Sequence, residues 1–150
     1  MMTKGLKING DDSDILSVRL EHLLNCYDRS EGDVSWGLLW LDVVMRPEVG
    51  YNILELEGEI NNSDFGKKIS LEKLLEFSSQ ISQAINILVL GDKDPKNIKR
   101  FETDDLMYAK CEYVIELVDS SYWIVHSNNS VFLNNIFEKI PGTEYLNSIL

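Results

Sequence analysis

Two histidines, two cysteines and a large excess of carboxylates are the side chains in this sequence that could do chemistry. His22 and His126 stand far apart, and no HxxxH or HExxH spacing places two imidazoles on one helix face. A histidine metal centre would have to be assembled across the fold. Cys26 and Cys111 show no CxxC or CxxH spacing, so no zinc site is written locally. Either thiol would need an electropositive setting to become a nucleophile beside His126. The residues around both are apolar or helical, which predicts two reduced core cysteines. Asp92 and Asp94 lack the glycine and the closing glutamate of a calcium loop. Rossmann, P-loop and nucleophile-elbow patterns are absent from the sequence. No cofactor, no metal and no catalytic residue is expected.

The carboxylates carry more information. Twenty-five acidic residues face 14 basic ones, for a net charge of −11. That balance repels nucleic-acid phosphates and speeds encounter with a basic partner. Glu55, Glu57 and Glu59 alternate, which predicts one face of a strand with carboxylates about 6.5–7 Å apart. The spacing is wide for one ion. It suits a solvated face, a partner-facing acidic stripe or a glycosidase-like pair. A second group comprises Glu102, Asp104, Asp105, Glu112, Glu116 and Asp119, six carboxylates opposed in residues 101–120 by Lys110 alone. Just before it, Lys93, Lys96, Lys99 and Arg100 form a basic ridge. Clustering of this kind favours a charged partner over a surface tuned only for solubility. Tyr122 alternates away from Trp123 and is the expected aromatic anchor, whereas Trp36, Trp40 and Trp123 are expected in the core.

These residues must be held by a chain of 150 residues, 44% apolar, which fits one domain able to bury a core. No stretch approaches the roughly 20 apolar residues that span a bilayer. Met1 to Gly10 lacks a signal-peptide pattern and reads as a loose N-terminal arm, so the expected location is cytoplasmic, away from membranes. A first helix is expected from Asp12 or Ser13, burying Leu16, Leu20, Leu23, Leu24 and Tyr27. Val34 to Met45 and Tyr51 to Gly58 read as two strands of a hairpin. A second helix, capped by Ser70, is traced by Leu71, Leu74, Leu75, Ser78, Ile81, Ile85 and Leu88, with Ile87 to Leu90 readable instead as a strand. Asp94-Pro95 opens a short basic helix. Cys111 to Val118 and Tyr122 to Ser127 are strands joined by a tight turn at Asp119-Ser120-Ser121. The last helix opens at Asn128-Asn129-Ser130, buries Val131, Phe132, Ile136, Phe137 and Ile140, and ends at Pro141-Gly142. This order predicts an α+β fold, a mostly antiparallel sheet with helices packed on one face.

The stretch from Tyr113 to Ser127, with its Asp119-Ser120-Ser121-Tyr122-Trp123 turn, leads into the amphipathic helix through Phe137. It resembles the C-terminal part of the immunity proteins that accompany bacterial polymorphic toxins, including those of contact-dependent growth inhibition. The resemblance covers about the last 40 residues. It implies a non-catalytic protein that binds one cognate toxin, in many cases a nuclease whose basic active site an acidic inhibitor can occlude. The contact residues, Glu102, Asp104, Asp105, Glu112, Glu116, Asp119 and Tyr122, rest on charge clustering and alternation alone. Two other classes fit the same composition. One is an acidic adaptor or nucleic-acid mimic acting on another basic protein. The other is a small carboxylate enzyme drawing on Asp42, Glu55, Glu57, Glu112 and Glu116.

Overall fold

The computed structural model describes residues 4–9, 17–50 and 52–146. Among these residues seven strands form one sheet in which every pairing is antiparallel. In chain order they are β1 (Lys4–Ile8), β2 (Ser35–Met45), β3 (Lys67–Ile69), β4 (Ile81–Asp92), β5 (Tyr113–Val118), β6 (Tyr122–Ser127) and β7 (Thr143–Leu146). Their order across the sheet is β3-β2-β4-β5-β6-β1-β7. Five helices accompany them: α1 (Leu20–Leu24), α2 (Ile53–Asn61), α3 (Leu71–Ser79), α4 (Asp104–Lys110) and α5 (Ser130–Lys139). The α+β class follows directly.

Alternation decides the burial of each sheet face. Trp123, Val125 and Ser127 of β6 are buried, while Tyr122, Ile124 and His126 between them are half-buried. The buried face packs against α1, α3 and α5 in one large core, with Leu23, Leu74, Phe132 and Ile136 among its helical members. At its centre Tyr27, Trp36, Tyr113 and Phe132 meet edge-on or tilted, with ring centroids 5.1–5.4 Å apart. Gly91 is required there, because a Cβ would come within 2.6 Å of the Trp36 ring. A smaller core lies on the opposite face, where Leu39, Leu90 and Val114 meet Ile98, Met107 and Cys111. The segment 93–101 and α4 cover that face at this end.

Several elements depart from the sequence-based expectations. Lys4–Ile8 is not a loose arm: it pairs with β6 and β7, and Leu6 and Ile8 are fully buried. Two inward apolar side chains in five residues outweigh the lack of a longer run. The start expected for the first helix, with Leu16, lies outside the described residues; Leu20, Leu23, Leu24 and Tyr27 are buried as expected. The second strand of the expected hairpin is the helix α2. Asn52 caps it by accepting from the Glu55 N–H, and Ile53, Leu56 and Ile60 recur on one side. Leu and Glu are strong helix formers, so the alternation was a coincidence of two periods. The helix capped by Ser70 stops at Ser79, and the residues expected to continue it form the 12-residue β4. After Asp94-Pro95 there is only a three-residue 3-10 turn. β7 follows the last helix, where no strand was expected.

α2 also explains how a sheet edge is closed. β3 pairs only with Trp36, Gly37 and Leu38, leaving the rest of that side of β2 without a strand. The Asn61 amide accepts from the Leu41 N–H and donates to the Leu41 carbonyl, each at 2.9 Å, in place of a neighbouring strand. Glu57 accepts from the Val43 N–H at 2.8 Å. Arg100 then ties the region together, donating to the carbonyls of Leu39 and Ser63 at 2.8 and 3.0 Å.

Candidate functional site

The register of the sheet places one row of side chains across the less covered face. Trp40 pairs with Leu88, Leu88 with Glu116, Glu116 with Ile124, and Ile124 with Lys7. Trp40 reaches this face because of a bulge. Leu38 pairs with Val89 and Trp40 with Leu88, so Leu39 is the extra residue and both Leu39 and Trp40 point away from the main core. A second row follows the same strands, with Asp42 opposite Asn86 and Val118 opposite Tyr122. The Asn86 amide donates to Asp42 at 3.4 Å and accepts from the Asp119 N–H at 3.0 Å.

α4 closes one side of this face. Thr103 caps it, accepting from the Leu106 N–H, and Asp104 and Asp105 occupy the first turn, where the helix dipole favours negative charge. Tyr108 lies flat on His126, ring centroids 3.8 Å apart, and its hydroxyl faces the Glu116 carboxyl. Burial pushes the Glu116 carboxyl above its ordinary value; Asp104 adds to the shift and the Tyr108 hydroxyl opposes it. Burial and the carboxylates of Glu116, Asp104 and Asp105 raise the Tyr108 hydroxyl. Among the described residues no lysine or arginine is within ion-pair distance of Glu116.

Asp104, Asp105 and Glu116 are thus brought together around Tyr108, and Tyr122 shares their sheet face. Glu102 is exposed just ahead of α4. Glu112 and Asp119 flank β5 at opposite ends, so neither joins that group. Tyr122 is half-buried with the Lys7 ammonium 4.6 Å from its ring centre, a poor free anchor. Trp40, expected in the core, is 41% exposed, whereas Trp36 and Trp123 are buried. The bulge in β2 is what moved it, and bulges leave little trace in a single apolar strand. Glu55, Glu57 and Glu59 form no ladder: as helix residues Glu57 caps the β2 edge, Glu59 faces Lys67 at 3.6 Å and Glu55 meets Asn52. Arg100 leaves the basic ridge for the carbonyls described above.

The remaining chemistry is muted. Burial raises both thiols, that of Cys111 to about 12 with Asp92 contributing, and each Sγ donates to a carbonyl. Thiolate chemistry is disfavoured in both places. Among the described residues no three histidine, cysteine or acidic side chains gather as a metal ion would need. Asp42 and Glu116 stand in neighbouring rows on strands two apart, Glu55 and Glu57 are on α2, and Glu112 precedes β5, so the described structure does not gather these five carboxylates. No described helix is long and apolar enough to cross a membrane.

His126 has a pH consequence. Its Nδ1 is buried without a hydrogen-bond partner, and burial lowers its pKa from 6.5. The unfolded chain therefore takes up this proton first. The group costs nothing above about pH 6.5 and destabilises the fold progressively as pH falls from there to the lowered folded value. Glu116 has the opposite sign: its raised folded pKa penalises the fold as pH rises through the carboxylate range. In urea denaturation at several pH values, His126→Phe should keep the stack on Tyr108 and abolish the loss that begins below pH 6.5. An unchanged pH profile would show that His126 is not its source.

Comparison of the chain with protein-family models, with curated proteins and with solved structures finds no match.

Proposed function

We propose that this chain is a non-catalytic, cytoplasmic immunity protein that neutralises a cognate bacterial toxin by covering a basic surface of it. The observation that supports this most is the gathering of Asp104 and Asp105 of α4 with Glu116 of β5 around Tyr108, in a protein carrying −11 charges. A field of one sign steers an oppositely charged partner and suits occlusion of a phosphate-binding site. Nothing in this reading needs a cofactor, a metal or bound nucleic acid.

The test is protection. The adjacent gene is expected to encode a large secreted protein with a C-terminal toxin domain, and cells producing that domain should survive when this chain is co-produced and die when an unrelated acidic protein replaces it; a metabolic neighbour would count against the reading. Equal killing with and without the chain would end the reading. Recovery of one stable host partner from cells without the toxin would favour an adaptor. In stopped-flow association with that toxin domain, reversing Glu102, Asp104 and Asp105 to lysine should slow binding about tenfold or more at low salt. Reversing Glu112 should do little. Added salt should slow the wild type more than the variants. Equal rates at low salt would reduce the acidic group to a solvated helix start.

A further inference from the structure

We infer that the partner is held by the sheet face beside α4, with Trp40 as its apolar anchor and Glu116, at the edge of α4, as the receptor for a partner arginine. This rests on the binding-protein reading but assigns residues and a contact chemistry that the acidic field alone does not. Four observations converge. First, α4 and the segment 93–101 meet one end of this face, and among the described residues the smaller core they form there does not include Trp40. Second, Trp40, Leu88 and Glu116 are directly paired across three neighbouring strands, with Trp40 exposed and Leu88 and Glu116 half-buried. Trp40 is 41% exposed, and Val44 on the same strand 49%. Third, Glu116 is a half-buried carboxylate with no lysine or arginine within ion-pair distance among the described residues. Fourth, the charges of α4 beside it are acidic: Asp104 acts on Glu116 directly and Asp105 on the Tyr108 next to it. In the same row of the sheet as Glu116, Lys7 is placed over the Tyr122 ring, and Lys99 lies over Phe101 at the covered end.

The geometry selects arginine over lysine. Trp40 and Glu116 are separated by two strand spacings, about 10 Å, with Leu88 between them. A guanidinium at Glu116 would lay its own stem over Leu88 and leave adjoining apolar partner surface on Trp40. Guanidinium is more weakly hydrated than ammonium and makes two parallel hydrogen bonds to a carboxylate, so a partly dry site prefers it. Charge complementarity therefore commits the face to a basic protein surface that presents an arginine beside apolar groups. A net charge of −11 argues against a second copy of this chain as the occupant.

The experiment uses the isotope-labelled full chain and two peptide probes, nona-arginine and nona-glutamate, followed by amide and indole chemical shifts. Nona-arginine should saturably shift the Trp40 indole and the amides of Leu88, Glu116 and Ile124, and nona-glutamate should not. Trp40→Ala and Glu116→Gln should each weaken nona-arginine about fivefold or more, a loss of the size expected for an anchor. Leu54→Ala, at an apolar position 78% exposed on α2, should leave it unchanged. Shifts spread equally over the carboxylates of α2 and α3, or unaltered binding in both face variants, would overturn the assignment. So would a concentration-dependent dimer that Trp40→Ala dissolves, since the face would then belong to a second copy. The same variants in the protection assay separate the two proposals. Full protection by both variants sinks the surface and leaves the immunity reading standing. Peptide binding at the face without any protection by the wild type sinks the immunity reading and leaves the surface.

Discussion

Trp123→Ala is expected to cost about 3–5 kcal/mol in urea denaturation, the range for deleting a large aromatic from a core. Trp123 is 1% exposed in the middle of the main core, and its indole N–H donates to the Val18 carbonyl at 2.9 Å. Truncation leaves a cavity and also an unpaired carbonyl, so the two penalties add. Trp123→Phe separates them: it keeps most of the ring and should lose only about 1–2 kcal/mol, the part due to the hydrogen bond and the smaller volume. Phe137 is the contrast. Its sequence position suggested a core residue of similar weight, yet it is 44% exposed on α5 and stacked on Tyr145 at 4.8 Å. Phe137→Ala should therefore cost no more than about 1.5 kcal/mol. A Trp123→Ala loss below about 1 kcal/mol would remove that residue from the core.

The second large effect is expected at Asp92, a carboxylate only 8% exposed at the end of β4. One of its oxygens accepts from the Glu112 N–H at 2.8 Å; the other accepts from the Asp94 N–H and the Asn97 amide, both at 3.0 Å. It thereby joins the turn after β4 to the chain between α4 and β5. Asp92→Ala orphans two main-chain donors and an amide in a mostly buried setting, and should destabilise by about 3 kcal/mol or more. Asp92→Asn retains one acceptor oxygen and should fall between. Because the turn and α4 together frame the exposed face, amide exchange at Asp94 and Glu112 should accelerate in Asp92→Ala before global unfolding does. If exchange there is unchanged, Asp92 is not what fastens α4 to the sheet.

Local signals in this chain were readable wherever one element satisfied its own backbone. Ser70, Asp94 and Asn129 are caps in the structure, each accepting from an N–H of the turn that follows it. The strands around Asp119-Ser120-Ser121 are strongly β-branched and aromatic, and Asp119 and Ser120 take positive φ values of 54° and 59°, as a tight turn requires. From these the α+β class and the antiparallel hairpin of β5 and β6 followed from sequence alone. The clustering of Asp104, Asp105 and Glu116 was legible in the same way, because residues close in sequence stay close across one helix and one strand.

Tertiary structure decided everything that depended on non-local pairing. Lys4–Ile8 has no strand signal strong enough to stand alone, and becomes one because β6 and β7 supply hydrogen-bond partners on both sides. Residues 53–61 could alternate or coil. The bare edge of β2 selects the helix, which offers Asn61 and Glu57 to the Leu41 and Val43 amides. Trp40 could not be told from Trp36 by alternation, since a one-residue bulge reverses every face assignment downstream. The face proposed here for binding is the product of such decisions: its carboxylates are a property of the sequence, but the exposed indole beside them exists only because two long strands pair out of step at Leu39.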